Sequence, residues 1–242
     1  MTSPASGPLL VVSAHAADFV WRCGGYIAKT VAAGGRAEVI CLSYGERSES
    51  ADAWRQPGMT VERVKEIRRR EAAAAGEVLG AGMTFLDRGD SPLEDDRETL
   101  FLLTGLIREL APSVILTHSR IDPFNYDHPV AADLTLRARR LAQAAGLESP
   151  HPPLGAPPVF RFEPHQPEMS EFAPDVFVDI TAVFERKLEA MGHLGTQGHL
   201  VRYYTDLGER RGTQAVRNGG PGSIRQAEAF QREFPQVAEM LT

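Results

Sequence analysis

Apolar runs too short to be helices alternate along this chain with segments whose apolar residues recur every three or four positions, and few folds accept that order. Residues Leu9–Ser13, 37–43, 83–86, 113–117 and Val159–Phe162 read as strands. Between them lie helical stretches: about 25–33, stopped by Gly34 and Gly35; 60–79, with Val61, Val64, Ile67, Ala72, Ala75 and Leu79 on one face; 98–110, closed by Pro112; and 129–145, with Pro129 in its first turn. The run 113–117 is continuously apolar at its centre, Val114, Ile115 and Leu116, as suits a strand covered on both faces. This alternation predicts an α/β, Rossmann-like three-layer fold with a mostly parallel sheet. Further on, 175–180 reads as a short strand, 182–192 and 227–234 as helices, and 146–158 and 217–222 as surface loops.

With 242 residues, 43% of them hydrophobic, the chain can bury a sizeable core, and it is expected to form one domain, 1–242. A net charge of -6 opposes a nucleic-acid or anionic-membrane surface, so an acidic substrate must be met by local arginines. The cluster Arg68-Arg69-Arg70 reads as a solvated helix face. Cys23 and Cys41 lie in apolar surroundings and read as buried free thiols. Residues 1–8 lack a basic start, the run 9–12 is shorter than the roughly 7–15 residues of a signal core, and nothing approaches about 18 apolar residues; a cytoplasmic protein is expected.

His15 and Asp18 fall where the first strand opens into a loop, and His128, in Asn125-Tyr126-Asp127-His128-Pro129, follows the fourth. Ligands of parallel sheets sit at the carboxyl ends of strands, where these residues can converge. Two histidines and a carboxylate leave a zinc ion an open position, as catalytic sites require. Asp127 is placed to hold the His128 ring through its other nitrogen. Taken singly, histidines at strand ends fit hydrogen-bonded structure equally well; the combination favours an ion.

These places resemble the PIG-L, or LmbE-like, superfamily of zinc deacetylases. Its usual signature runs Ala-His-Pro-Asp-Asp-Glu with a following Gly-Gly, then Arg-x-x-Glu on a helix, then His-x-Asp-His. Here the corresponding residues are Ala14-His15-Ala16-Ala17-Asp18-Phe19 with Gly24-Gly25, then Arg68 to Glu71, then Asn125-Tyr126-Asp127-His128. The resemblance implies an LmbE/PIG-L-like fold and a zinc ion, Zn2+, on His15, Asp18 and His128. It also implies a loss: the family's general base is replaced by Ala17, and its oxyanion-stabilising first histidine by Asn125.

One branch of that superfamily, the bacterial 4-oxalomesaconate hydratases of gallate and protocatechuate breakdown, is similar to this chain in longer strings. They are Ser13-Ala14-His15-x-Ala17-Asp18-Phe19-Val20-Trp21-Arg22, Cys41-Leu42-Ser43-Tyr44-Gly45-Glu46-Arg47-x-Glu49-Ser50, Asp122-Pro123-Phe124-Asn125-Tyr126-Asp127-His128-Pro129 and Phe162-Glu163-Pro164-His165-Gln166-Pro167-Glu168. The resemblance implies a hydratase acting on a small-molecule tricarboxylate, in an expected homo-oligomer. Hydration needs a base for water and an acid for carbon. Glu46 is the expected base, with Glu49 its competitor, and His165 the expected acid. Arg47 and Arg120 are the expected carboxylate partners, although either could pair with a neighbouring acid; Asn125 and Tyr126 complete the expected substrate contacts. Arg68 and Glu71 read as an ion pair buttressing the loops, and His118 as supporting or structural. A zinc amidase or deacetylase that recruits Glu46 as base is the alternative. Ala17→Asp, which restores the deacetylase signature, is expected to leave hydration unimproved or lowered, because a further carboxylate beside the ion repels an anionic substrate. A faster hydration rate in that variant would overturn this account.

Overall fold

The computed structural model of the chain describes residues 7–238; the start, read above as lacking a leader, lies mostly outside them. Its helices are α1 (Asp18–Ala32), α2 (Ala51–Trp54), α3 (Val61–Leu79), α4 (Arg97–Leu110), α5 (Asp127–Ala142), α6 (Phe184–Gly192) and α7 (Leu200–Arg217). The strands are β1 (Leu9–Ser13), β2 (Ala37–Cys41), β3 (Gly82–Phe85), β4 (Val114–Thr117), β5 (Val159–Phe162), β6 (Val176–Asp179) and β7 (Ala227–Arg232). They form one sheet in the order β3-β2-β1-β4-β5-β7-β6. The first five are parallel, and β7 and β6 join antiparallel.

The central strand β1 is buried on both faces and divides two cores. Leu9 and Val11 pack with residues of α1, α3, α6 and α7, whereas Leu10 and Val12 pack with α4 and α5. The predicted three-layer arrangement is therefore what forms. Chain reversal on either side of β1 sends β2 to one flank and β4 to the other, so the loops after β1, β2 and β4 meet above the same strand ends.

Several segments depart from the sequence reading, two of them near the C-terminal end. Residues 227–234, expected as a helix, form β7, because the slot between β5 and β6 supplies hydrogen-bonding partners on both edges: Phe162 pairs with Phe230, and Asp179 with Ala227. Its first four residues are all buried, so no alternation marked it as a strand. The long helix α7 was not anticipated. Its buried face includes Gly208, Arg211 and Gly212 and so lacks a plain apolar stripe; a Cβ on Gly212 would lie 2.1 Å from the Arg225 carbonyl oxygen.

Helix α1 begins earlier than expected, at Asp18, and breaks at Cys23 (φ -145, ψ 16). The expectation of a helix from 25 caught its second half. That half is capped from another element: the buried Glu228 carboxylate accepts the Gly25 and Tyr26 N–H groups at 2.8 and 2.7 Å, and Lys187 Nζ lies 2.7 Å from its Oε1. Gly25 is required here, since a Cβ would stand 2.6 Å from Ile180 Cδ1 and 3.0 Å from Glu228 Oε1. Both cysteines are buried and free, and no helix among the described residues is long and apolar enough to cross a membrane. Glu228→Ala should destabilise the fold by about 3–5 kcal/mol, since it uncaps α1 and leaves Lys187 buried without its counter-charge. Urea unfolding of the variant showing a loss below about 1 kcal/mol would contradict that role.

Candidate active site

The loop leaving β1 turns back on itself at once: the His15 N–H donates to Asp18 Oδ2 at 2.8 Å, which brings ring and carboxylate together at the start of α1. His15 Nδ1 lies 3.3 Å from Asp18 Oδ2, and His128 Nε2, from the first turn of α5, lies 3.6 Å from Asp18 Oδ1. Neither nitrogen has a hydrogen-bond partner, although both are buried. The opposite nitrogens are held: His15 Nε2 is 3.1 Å from Asp127 Oδ2, and His128 Nδ1 is 2.8 Å from Asp122 Oδ2. Asp127 was expected to hold His128; it holds His15, and Asp122 takes the other ring.

Two bare imidazole nitrogens flanking one carboxylate, each ring fixed by a second carboxylate, are the donor set and outer support of a divalent-cation site. Electrostatics agree. Burial opposes charge on His15, but the hydrogen bond to Asp127 and the adjacent Asp18 carboxylate outweigh it and raise its pKa to about 10. Despite burial, the His118 and His128 rings beside it hold the Asp18 carboxyl well below its usual range. Asp127 is likewise taken down to about 2, against burial, by His15 and by the N–H groups of Leu93 and Ser91. The pocket thus favours positive charge at its centre. His118 is different: burial and the neighbouring His128 push it to about 3, and its Nε2 accepts the Ala14 N–H at 2.9 Å, so it is a neutral support stacked on His128.

The site opens into a cleft of about 280 Å³ lined by Asp18, Arg22, Glu49, Asn125, His128 and His165, among others. Glu49 offers an oxygen within 4.8 Å of ligand nitrogens on His15 and His128. Its carboxylate is aimed by two amides, Asn125 Nδ2 at 2.6 Å and Gln197 Nε2 at 2.9 Å. The half-buried His165 ring stacks on Tyr203, whose hydroxyl donates to the His165 carbonyl. Burial and the Arg22 charge lower the His165 pKa below 6.5. Arg68 and Glu71 buttress the loops as expected: Arg68 donates to the Tyr44 carbonyl and to Gln197, and Glu71 accepts both the N–H and the hydroxyl of Thr196.

Of the expected site residues, His15, Asp18, His128, Asn125 and His165 converge here, and four do not. Glu46 is 1% exposed, away from the cleft lining, with Lys65 Nζ 3.7 Å from Oε1. Arg47 turns the other way and donates to the Asp90 carbonyl. Arg120 faces Glu233 on a separate surface. Tyr126 is 80% exposed just before α5. The reading gave no role to Asp122, Arg22 or Gln197. The first two stand within the shared strings quoted above, so a signal was present without a role; Gln197 carried none.

The chain matches the family described as PIG-L, GlcNAc-PI de-N-acetylase, over residues 10–139. It belongs to the PIG-L family. The 4-oxalmesaconate hydratase of Pseudomonas putida KT2440, a curated relative, is 50% identical over 235 residues, 96% of this chain and 91% of that protein. The crystal structure of GalB, the 4-carboxy-2-hydroxymuconate hydratase from the same organism, matches with a TM-score of 0.94 at 49% identity, covering 98% of this chain and 100% of that one. The N,N'-diacetylchitobiose deacetylase of Pyrococcus horikoshii shares the PIG-L fold at a TM-score of 0.76 and 20% identity, over 93% of this chain and 83% of its own.

If the bare nitrogens are ligand atoms, elemental analysis should find one divalent ion per chain, absent from His15→Ala and His128→Ala and bound about 10–100-fold more weakly by Asp122→Asn. Full metal content in both histidine variants would show that the ion, if any, is held elsewhere.

Proposed function

We propose that this chain is a zinc-dependent hydro-lyase that adds water to the carbon-carbon double bond of 4-oxalomesaconate, giving 4-carboxy-4-hydroxy-2-oxoadipate in aromatic-acid breakdown. The observation that carries the reading is the position of Glu49: a carboxylate held by two amide donors beside His15 and His128, in one cleft with His165. The hydratase names of the 50% and 49% identical relatives support the same chemistry, and they denote the keto and enol forms of one substrate skeleton.

His15, Asp18 and His128 would hold the ion, which when bound supplies Lewis acidity toward an oxygen of water or substrate. Glu49 takes the proton of the attacking water, with the Asn125 and Gln197 amides fixing the direction in which its free lone pairs point. The hydroxyl then bonds to the fully substituted alkene carbon, and the electron pair of the double bond moves to the adjacent CH carbon, next to that carbon's own carboxylate. His165 delivers a proton there, and no bond of the carbon skeleton breaks. Ala17 stands where the deacetylase base would be and is buried, so the amidase reading lacks its base at that position.

Glu49→Gln and His165→Ala should each lose about 10²-fold or more in kcat while keeping metal and fold. Glu46→Gln should change it by less than about tenfold. The assay is loss of ultraviolet absorbance from the conjugated acid, and strong loss in Glu46→Gln with near-normal turnover in Glu49→Gln would return the base to Glu46. His165 must be protonated to donate and its pKa is lowered, so kcat/KM should begin to fall below pH 6.5 as pH rises; His165→Ala should abolish that limb.

A further inference from the structure

A tricarboxylate substrate poses a charge problem that the residues assigned so far do not solve. Arg47 and Arg120 point away from the cleft, whose lining carries the carboxylates of Asp18, Glu49 and Asp122. Among the described residues that line it, Arg22 alone bears a permanent positive charge. Arg22 is buried in α1, one turn beyond Asp18. Its guanidinium is fixed on three sides: Nε lies 3.4 Å from Asp18 Oδ1, Nη1 donates to the Glu163 carbonyl at 2.9 Å, and the group stands 5.8 Å over the Phe162 ring. Those contacts leave Nη2 without an acceptor among the described residues. The Tyr204 hydroxyl, on the same lining and equally without a partner there, stands on a ring stacked against Trp21.

We propose that Arg22, assisted by the Tyr204 hydroxyl, is the substrate-carboxylate anchor of this cleft and sets its preference for a polyanion. The assignment rests on the hydratase reading for the identity of the anion, and on cleft geometry for the site. A guanidinium held in place before binding loses little freedom when it takes a carboxylate, and an N–H donor paired with a hydroxyl matches the two oxygens of one such group. Because Arg22 is one helical turn from Asp18, a carboxylate seated on it lies beside the His15 and His128 nitrogens, with the rest of the substrate directed toward Glu49 and His165. An alternative role, counter-charge to Asp18 alone, makes different demands: it would act through metal content and affect every substrate alike.

The test compares metal-loaded wild type, Arg22→Met and Tyr204→Phe on the conjugated oxo-tricarboxylate and on analogues in which each carboxylate in turn is replaced by hydrogen, with metal content measured throughout. Arg22→Met should lose about 10²-fold in kcat/KM on the tricarboxylate, chiefly through KM, and less than about threefold on the one analogue that lacks the anchored group. Equal losses on every analogue, or an unchanged KM, would overturn the anchor. Should Arg22→Met fold poorly or lose metal, Arg22→Lys, which keeps the charge and loses the planar fork, and Tyr204→Phe each should raise KM about tenfold; an unchanged KM in both overturns it equally. Calorimetry with propane-1,2,3-tricarboxylate separates the two readings. Binding that depends on Arg22, without hydration by wild type, would sink the hydratase and leave the anchor; hydration unaffected by Arg22→Met would do the reverse.

Discussion

Two buried imidazole nitrogens without hydrogen bonds, His15 Nδ1 and His128 Nε2, set the requirement around which this end of the sheet is built. A buried polar atom left unpaired costs about 1–3 kcal/mol, so a fold that presents two of them to one carboxylate must hold both rings against turning to find other partners. Asp127 and Asp122 do this by occupying the far nitrogens. They are held in turn by backbone: Asp127 by the N–H groups of Ser91 and Leu93, Asp122 by that of Phe124. Support for the two rings therefore starts in the loops after two parallel strands, β3 and β4.

The placement of Glu49 depends on a second, separate set of contacts. Gln197, which donates to Glu49, accepts from Trp21 Nε1 in α1 and from Arg68 in α3. Arg68 also ties the loop after β2 through the Tyr44 carbonyl, and Glu71 fastens Thr196 beside it. Two helices and two loops thus fix one carboxylate, and none of these contacts involves position 17. Under the proposed assignment the base stands on the loop after β2 rather than at the start of α1, while the strands and the positions of His15, Asp18 and His128 are unchanged. The sheet is shared with deacetylases, so a difference in chemistry has to come from the loops that carry the site.

The part of this arrangement legible in sequence follows from how local each signal is. Strands β1 to β5 and helices α3, α4 and α5 were readable because burial imposes periodicity on their own residues. Strand β7 was not, since its pairing partners lie far away in the chain and burial of Ala227 to Phe230 on both faces erased the alternation. His15, Asp18 and His128 could be named as candidate ligands because His15 and Asp18 are neighbours and His128 follows a strand. The sequence favoured Glu46 over Glu49, as both sit in one loop and the contacts that turn Glu49 into the cleft come from Asn125 and Gln197, distant in sequence. Arg47 and Arg120 were chosen for nearness to site residues along the chain, and nearness does not fix the direction of a long side chain.

How an acidic chain could accept a polyanion is a question of distance. The net charge of -6 is spread over the whole surface, and beyond about 8 Å such charges are largely screened at physiological salt. Inside the cleft screening is weak, and there Asp18 and Asp122 are each already matched by histidines or Arg22. Glu49 is the lining carboxylate held only by neutral amides. It is also the group assigned to take a proton, so its negative charge is removed as water adds. Under the proposed function, an approaching trianion would meet one uncompensated carboxylate, opposed by Arg22 and by the cation that His15, Asp18 and His128 would hold. A fourth carboxylate at Ala17 would shift that balance against the substrate without joining the network that aims Glu49.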